Sequence, residues 1–133
     1  MGIIKDRFKE KADIANVEIK EILKEHGTKK IGEVTLAQVY QGMRGITGLV
    51  TETSLLDPQE GIRFRGYTIP ELQEKLPRVE GGSEPLPEGL FYLMLIGELP
   101  TEDDVQHVTS VWQRRSHVPT HVFQTIDALP LSA

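Results

Sequence analysis

Apolar residues Ile4, Phe8, Ala12, Ala15, Ile19, Ile22 and Leu23 recur at intervals of three and four, with Lys and Glu filling the positions between them. That spacing lines them up on one stripe and predicts an amphipathic helix from about Ile4 to His26. Gly27 is the expected stop, in the left-handed position after the last turn. At about 1.5 Å per residue such a helix runs roughly 33 Å. A stripe of that length needs a long partner surface, supplied by this chain or by another.

Thr28-Lys29-Lys30 is a polar connector, and Ile31 to Val34 is expected to form a short strand. Thr35 and Gln38 have the spacing of a capping box and predict a helix of about two turns ending near Gln41-Gly42. From Gly42 to Gly66 the pattern changes to GMRGITGLVTETSLLDPQEGIRFRG. Gly42, Gly45 and Gly48 recur every third residue, which favours turns or close backbone approach over a helix interior. Leu49 to Leu56 and Ile62 to Arg65 then read as two short strands joined by a five-residue loop, Asp57-Pro58-Gln59-Glu60-Gly61.

Helical spacing resumes at Thr68-Ile69-Pro70-Glu71, where Thr68 can cap and proline is tolerated in the first turn. This helix should end at about Leu76, because Pro77 cannot continue it. Arg78 to Pro87 reads as a loop. Glu88 to Ile96 predicts a helix apolar on nearly every side, hence buried, and Gly97 ends it. Thr101 to Asp104 opens another helix with three acids in its first turn, which complement the helix dipole. Val105, Val108, Val111 and Trp112 should face inward, with the end by His117. Pro119 opens a last helix carrying Val122, Phe123 and Ile126 and stopped by Pro130. The sum is a mainly α fold with one small β-hairpin near the start. The chain then stops abruptly at Leu131-Ser132-Ala133, which predicts that the natural protein continues.

The 133 residues suit one domain or part of one. With 38% hydrophobic and 26% charged residues the composition is globular and soluble. A net charge of −5 argues against a nucleic-acid surface. The absence of cysteine excludes disulfides, thiolate metal sites and cysteine nucleophiles. Neither a signal peptide nor a transit peptide is visible at the start. The longest apolar run, Leu90 to Ile96, is too short to span a bilayer.

Candidate chemistry is sparse. The glycine series matches neither the dinucleotide fingerprint nor the phosphate-binding loop that ends in Gly-Lys-Ser/Thr. Its glycines serve turns and packing, or else their amides approach an anion. Arg44 lies inside the series. It is either a surface or ion-paired arginine, with Glu52 or Asp57 as partner, or a fork for phosphate. Arg63 and Arg65 are two apart on a predicted strand, so they should share a face and pair with neighbouring acids. His117 and His121 are four apart, but Pro119 separates them onto different elements, so a metal pair is not expected. His26 suits a helix C-terminus and His107 a helix surface. Asp57 and Glu60 are accounted for by turn chemistry. These residues assemble no catalytic centre, leaving catalytic and metal residues at none.

The stretch from Gly42 to Gly66, with Tyr67-Thr68-Ile69-Pro70-Glu71, closely resembles the eukaryotic, mitochondrial-type citrate synthases. The resemblance continues through Gly81 to Asp104 (GGSEPLPEGLFYLMLIGELPTEDD), Pro119-Thr120-His121-Val122 and Ile126-Asp127-Ala128-Leu129-Pro130. It also takes in Lys5-Asp6-Arg7-Phe8 and Glu25-His26-Gly27, so it covers effectively the whole chain.

The resemblance implies a multi-helical fold of which residues 1–133 are the N-terminal part of a large domain, cut before the catalytic residues. The family enzyme is a homodimer in the mitochondrial matrix that condenses acetyl-CoA with oxaloacetate and water to give citrate and CoA. Acetyl-CoA is then a substrate, and no cofactor is expected. Neither nucleic acid nor membrane is an expected partner. Arg44, in Gly42-Met43-Arg44-Gly45, matches the family arginine that contacts CoA phosphates. No catalytic role carries over to any residue, so the chain alone should be inactive. A 2-methylcitrate synthase, or a non-catalytic interaction or CoA-binding module, is the alternative.

Overall fold

A computed structural model of the chain describes residues 2–130 and 132. Six helices and a small sheet follow in order: α1 (Gly2–His26), α2 (Leu36–Tyr40), β1 (Ser54–Asp57), β2 (Gly61–Phe64), β3 (Tyr67–Thr68), α3 (Ile69–Lys75), α4 (Pro87–Ile96), α5 (Glu102–Arg115) and α6 (Thr120–Asp127). The mainly α reading holds. Leu131 and Ala133, where the sequence reading places the abrupt end, lie outside the described residues.

The core is built around α4. One side of it, Tyr92 and Ile96, packs with Ile4 of α1 and Val108 of α5. Another side, Leu93, packs with Leu72 and Leu76, and Phe64, Tyr67 and Leu90 close over them. The expectation of a buried α4 is met at Tyr92, Leu93 and Ile96, while Phe91 stays partly exposed against Trp112, edge to face at 5.2 Å between ring centres. Val105, Val108 and Val111 point inward as expected, but Trp112 stands 40% exposed at the margin.

Capping explains where three helices begin. Thr35 with Gln38, Thr68 with Glu71 and Thr101 with Asp104 each form a complete box, the threonine side chain accepting from the third-residue amide and the acid or amide reaching back. Gly97 ends α4 in the left-handed region at φ 86°. Gly27 ends α1 for a different reason from the one expected. It is not among the residues with positive φ. A Cβ there would stand 2.3 Å from the Leu23 carbonyl oxygen, so glycine is needed for room.

The hairpin is one strand richer than the sequence reading. β1, β2 and β3 form an antiparallel sheet in that order, with Ser54 opposite Phe64, Asp57 opposite Gly61 and Phe64 opposite Tyr67. Arg65 (φ 48°) and Gly66 (φ 86°) form the two-residue turn between β2 and β3, both in the left-handed region that such a turn demands. Arg65 therefore leaves the strand and does not share a face with Arg63. Leu49 to Thr53 is not strand, and neither is Ile31 to Val34. Among the described residues Ile31 to Val34 makes no backbone hydrogen bond, and Leu49 to Thr53 makes one, the Thr53 carbonyl accepting from the Arg65 amide at 2.9 Å, so most of the local β-propensity goes unused.

Much apolar surface remains open. On α1 only Ile4 is buried, and Phe8, Ile19, Ile22 and Leu23 of the predicted stripe are 46 to 62% exposed. The chain exposes 11246 Å², where a compact monomer of its mass exposes about 7,000 Å². The bare stripe of α1 is part of this excess of about 4,000 Å². Phe123 and Ile126 of α6 share this exposure at 54% and 58%. No described helix is long and apolar enough to cross a membrane.

Candidate functional site

The glycine-rich stretch is a compact sequence of turns. α2 stops in a left-handed glycine cap: Gly42 takes φ 76°, and the Met43 amide reaches back to the Gln38 carbonyl at 2.7 Å. Met43 follows at φ 60°, unusual for a residue with a side chain. The Ile46 amide then donates to the Met43 carbonyl at 3.3 Å, with Gly45 at φ 74° in the third position of the turn. Arg44 occupies the second position of that turn, at its outer corner.

The geometry bears on the turn and packing roles of the glycines. Gly42 and Gly45 are present for backbone conformation. Gly48 has neither positive φ nor any atom within 4 Å of an added Cβ, so close packing accounts for none of the three.

Arg44 is exposed, and neither proposed acid pairs with it. Among the described residues, Glu52 bonds Arg65 at 3.2 Å. Asp57 instead accepts from the Gln59 and Glu60 amides, each at 2.8 Å. Those amides hold the Asp57 carboxyl below the usual carboxylate range, the Glu60 amide first. The guanidinium of Arg44 is therefore available to an anion from outside.

The other two arginines are structural, as anticipated. Arg63 grips Glu60 at 2.9 and 3.2 Å and the Gly66 carbonyl at 3.0 Å, closing the sheet's two turns together. Arg65 pairs with Glu52 and also donates to the Met94 carbonyl.

The histidines do not converge. His26 ends α1, His107 lies on α5, His117 on the link after α5 and His121 on α6. Among the described residues no group of three or more His, Cys, Asp or Glu is placed to hold a metal. His107 is half-buried on α5, and its Nε2 makes no hydrogen bond among the described residues.

One cluster had no signal in local pattern. Arg7 of α1 donates to the Tyr92 hydroxyl and, at 2.7 Å, to Asp104, and Lys11 pairs with Glu98. These contacts span about a hundred residues of chain or nearly so, and only the docking of α1 on α4 and α5 creates them. Burial pulls the Asp104 carboxyl up, but the Thr101 amide and hydroxyl and the Arg7 charge together hold it below its ordinary value.

A family model described as "Citrate synthase, C-terminal domain" matches residues 42–133. The chain is 55% identical over 127 residues to the mitochondrial citrate synthase of Saccharomyces cerevisiae, covering 96% of this chain and 26% of that protein. It is 54% identical to the mitochondrial 2-methylcitrate synthase of Yarrowia lipolytica, over 96% of this chain and 27% of that one. To the peroxisomal citrate synthase of S. cerevisiae it is 50% identical, over 96% and 28%. The chain thus spans about a quarter of the length of these relatives. With more than half of its residues matched to the family model, and its helices and turns arranged as described, the chain belongs to the citrate synthase family.

Proposed function

We propose that this chain is a segment of a citrate synthase, an enzyme that condenses acetyl-CoA with oxaloacetate and water to give citrate and CoA. The observation that carries the reading is the 55% identity to the yeast mitochondrial enzyme across 96% of the chain. In this reading residues 1–133 are the N-terminal part of the large helical domain and precede the catalytic residues. Acetyl-CoA is a substrate and no further cofactor is used.

Arg44 contacts a CoA phosphate. CoA carries a pyrophosphate and a 3′-phosphate, and a planar guanidinium gives either one two parallel charge-assisted bonds. The corner position and the unpaired state of Arg44 among the described residues support this role. The complete enzyme is a homodimer in the mitochondrial matrix. The about 4,000 Å² of excess surface is covered by the rest of the subunit and by the second subunit.

The test is Arg44→Ala in the full-length enzyme. The KM for acetyl-CoA should rise about tenfold, the worth of one lost charge-assisted pair, while the KM for oxaloacetate stays unchanged. An unaltered acetyl-CoA KM would remove Arg44 from the site. The 54% identity to a 2-methylcitrate synthase favours a second reading of the acyl group. Comparing kcat/KM for acetyl-CoA and propionyl-CoA decides between them. Turnover of neither would leave the non-catalytic module.

A further inference from the structure

Arg65 holds three partners at once. Its Nε and Nη2 donate to the Met94 carbonyl at 3.1 and 2.9 Å, its Nη1 donates to Glu52 at 3.2 Å, and its backbone N–H donates to the Thr53 carbonyl at 2.9 Å. The side chain is 20% exposed. Its guanidinium carbon lies 3.7 Å from where a Cβ on Gly97 would stand, an ordinary contact distance, so the guanidinium packs beside the left-handed stop of α4.

These bonds have a particular topological place. Among the described residues, every other hydrogen bond of residues 30–53 runs within that stretch, including those of the Thr35 cap, the Gly42 cap and the Met43 turn. The Thr53 bond continues the β1–β2 hairpin one pair beyond Ser54 and Phe64, and the Glu52 bond is the side-chain contact that joins the stretch, through Arg65, to α4. The stretch carries α2, both left-handed glycines and Arg44. Arg65 ties it, through the Met94 carbonyl, to the end of the most buried helix.

We infer that Arg65 is a positioning residue for CoA binding: it clasps the Arg44-bearing stretch and fixes it to the end of α4. The inference rests on the reading of Arg44 as a CoA-phosphate contact. A loop that must be ordered as the ligand binds loses affinity in proportion to the freedom removed. A clasp made beforehand removes that cost for CoA and leaves the chemical step untouched. Lysine cannot replace Arg65, because an ammonium is a point donor and cannot fork onto the Met94 carbonyl while bonding Glu52.

The test uses the full-length enzyme carrying this segment. Glu52→Ala cuts the outer arm and leaves Arg65 on Met94, so the fold is spared. The acetyl-CoA KM should rise about threefold, the scale of a partly exposed ion pair, with kcat and the oxaloacetate KM unchanged. Arg65→Lys should raise it about tenfold. Both effects should vanish on an Arg44→Ala background, because the clasp acts through Arg44. Additive effects on that background, or a lower kcat with both KM values raised, would overturn the inference and leave Arg65 a purely structural residue. If Arg44→Ala raises the acetyl-CoA KM and the Glu52 and Arg65 variants do not, the clasp alone fails. If Arg44→Ala does nothing, the CoA-phosphate reading fails and takes the clasp with it.

Discussion

Asp104 serves two helices with its two oxygens. Oδ1 accepts from the Arg7 guanidinium of α1 at 2.7 Å, while Oδ2 accepts from the Thr101 amide and hydroxyl at 3.0 and 2.8 Å, starting α5. Docking of α1 and capping of α5 therefore share one carboxylate. Arg7→Ala should release the first turns of α1 and leave the α5 cap intact. Hydrogen exchange checks this: α1 amides should exchange faster and α5 amides unchanged. Thr101→Ala should cost about 1 kcal/mol through the lost cap. Asp104→Ala should show both losses together.

Acid should destabilise the fold through the same kind of group. The carboxyls of Asp57, Glu71 and Asp104 all titrate below their ordinary values in the folded chain. For Glu71 the first cause is the Thr68 amide, followed by its hydroxyl. The unfolded chain thus binds protons more readily than the folded one, and stability falls as pH drops. The contribution is complete above the ordinary carboxylate pKa of about 4 and is lost as pH falls through the depressed folded values. Thermal melts between pH 7 and pH 3 should show the decline confined to the acid end. Asp104→Asn should make it shallower.

Leu93 is fully buried at the centre of α4, against Leu72 and Leu76. Leu93→Ala should cost about 2–5 kcal/mol, the usual range for a buried leucine with a residual cavity. In the full-length enzyme this appears as a lowered melting temperature.

The isolated 133-residue chain should be marginal in its own right, since it leaves about 4,000 Å² more surface in water than a compact monomer would. It should bind a hydrophobic dye and self-associate. A cooperative, monomeric melt without dye binding would contradict this.

Gly97→Ala places a side chain at φ 86°, with Arg65 atoms 3.7 to 3.9 Å away. The left-handed backbone should cost about 1–2 kcal/mol. Gly48→Ala is the control, having ordinary φ and open space, and should be close to neutral. Comparing the melting temperatures of the two variants tests the difference.

The elements were legible where local chemistry decides them. The three threonine caps, the stop at Gly97, the periodic face of α5 and the Asp57 turn all depend on neighbours within about four residues. The reading failed where a partner is needed. Ile31 to Val34 has strand propensity but no strand beside it. Arg65 looked like a strand residue because its left-handed turn with Gly66 carries no Asn-Gly or Asp-Gly signature. At the candidate site, the position of Arg44 in a turn was readable from its glycines. Its lack of an acid partner was not, because that depends on Arg65 taking Glu52.

By itself the sequence determined the family, the helical class and the turn that carries Arg44, since each is written in contiguous residues. Only the tertiary structure decided that α1 touches the core through its first turns and leaves most of its stripe bare. It alone placed Arg7, Tyr92 and Asp104 together and made Arg65 the tie between the Arg44 stretch and α4. These contacts join residues up to 97 positions apart, and spacing along a chain carries no record of which distant backbone will arrive beside it.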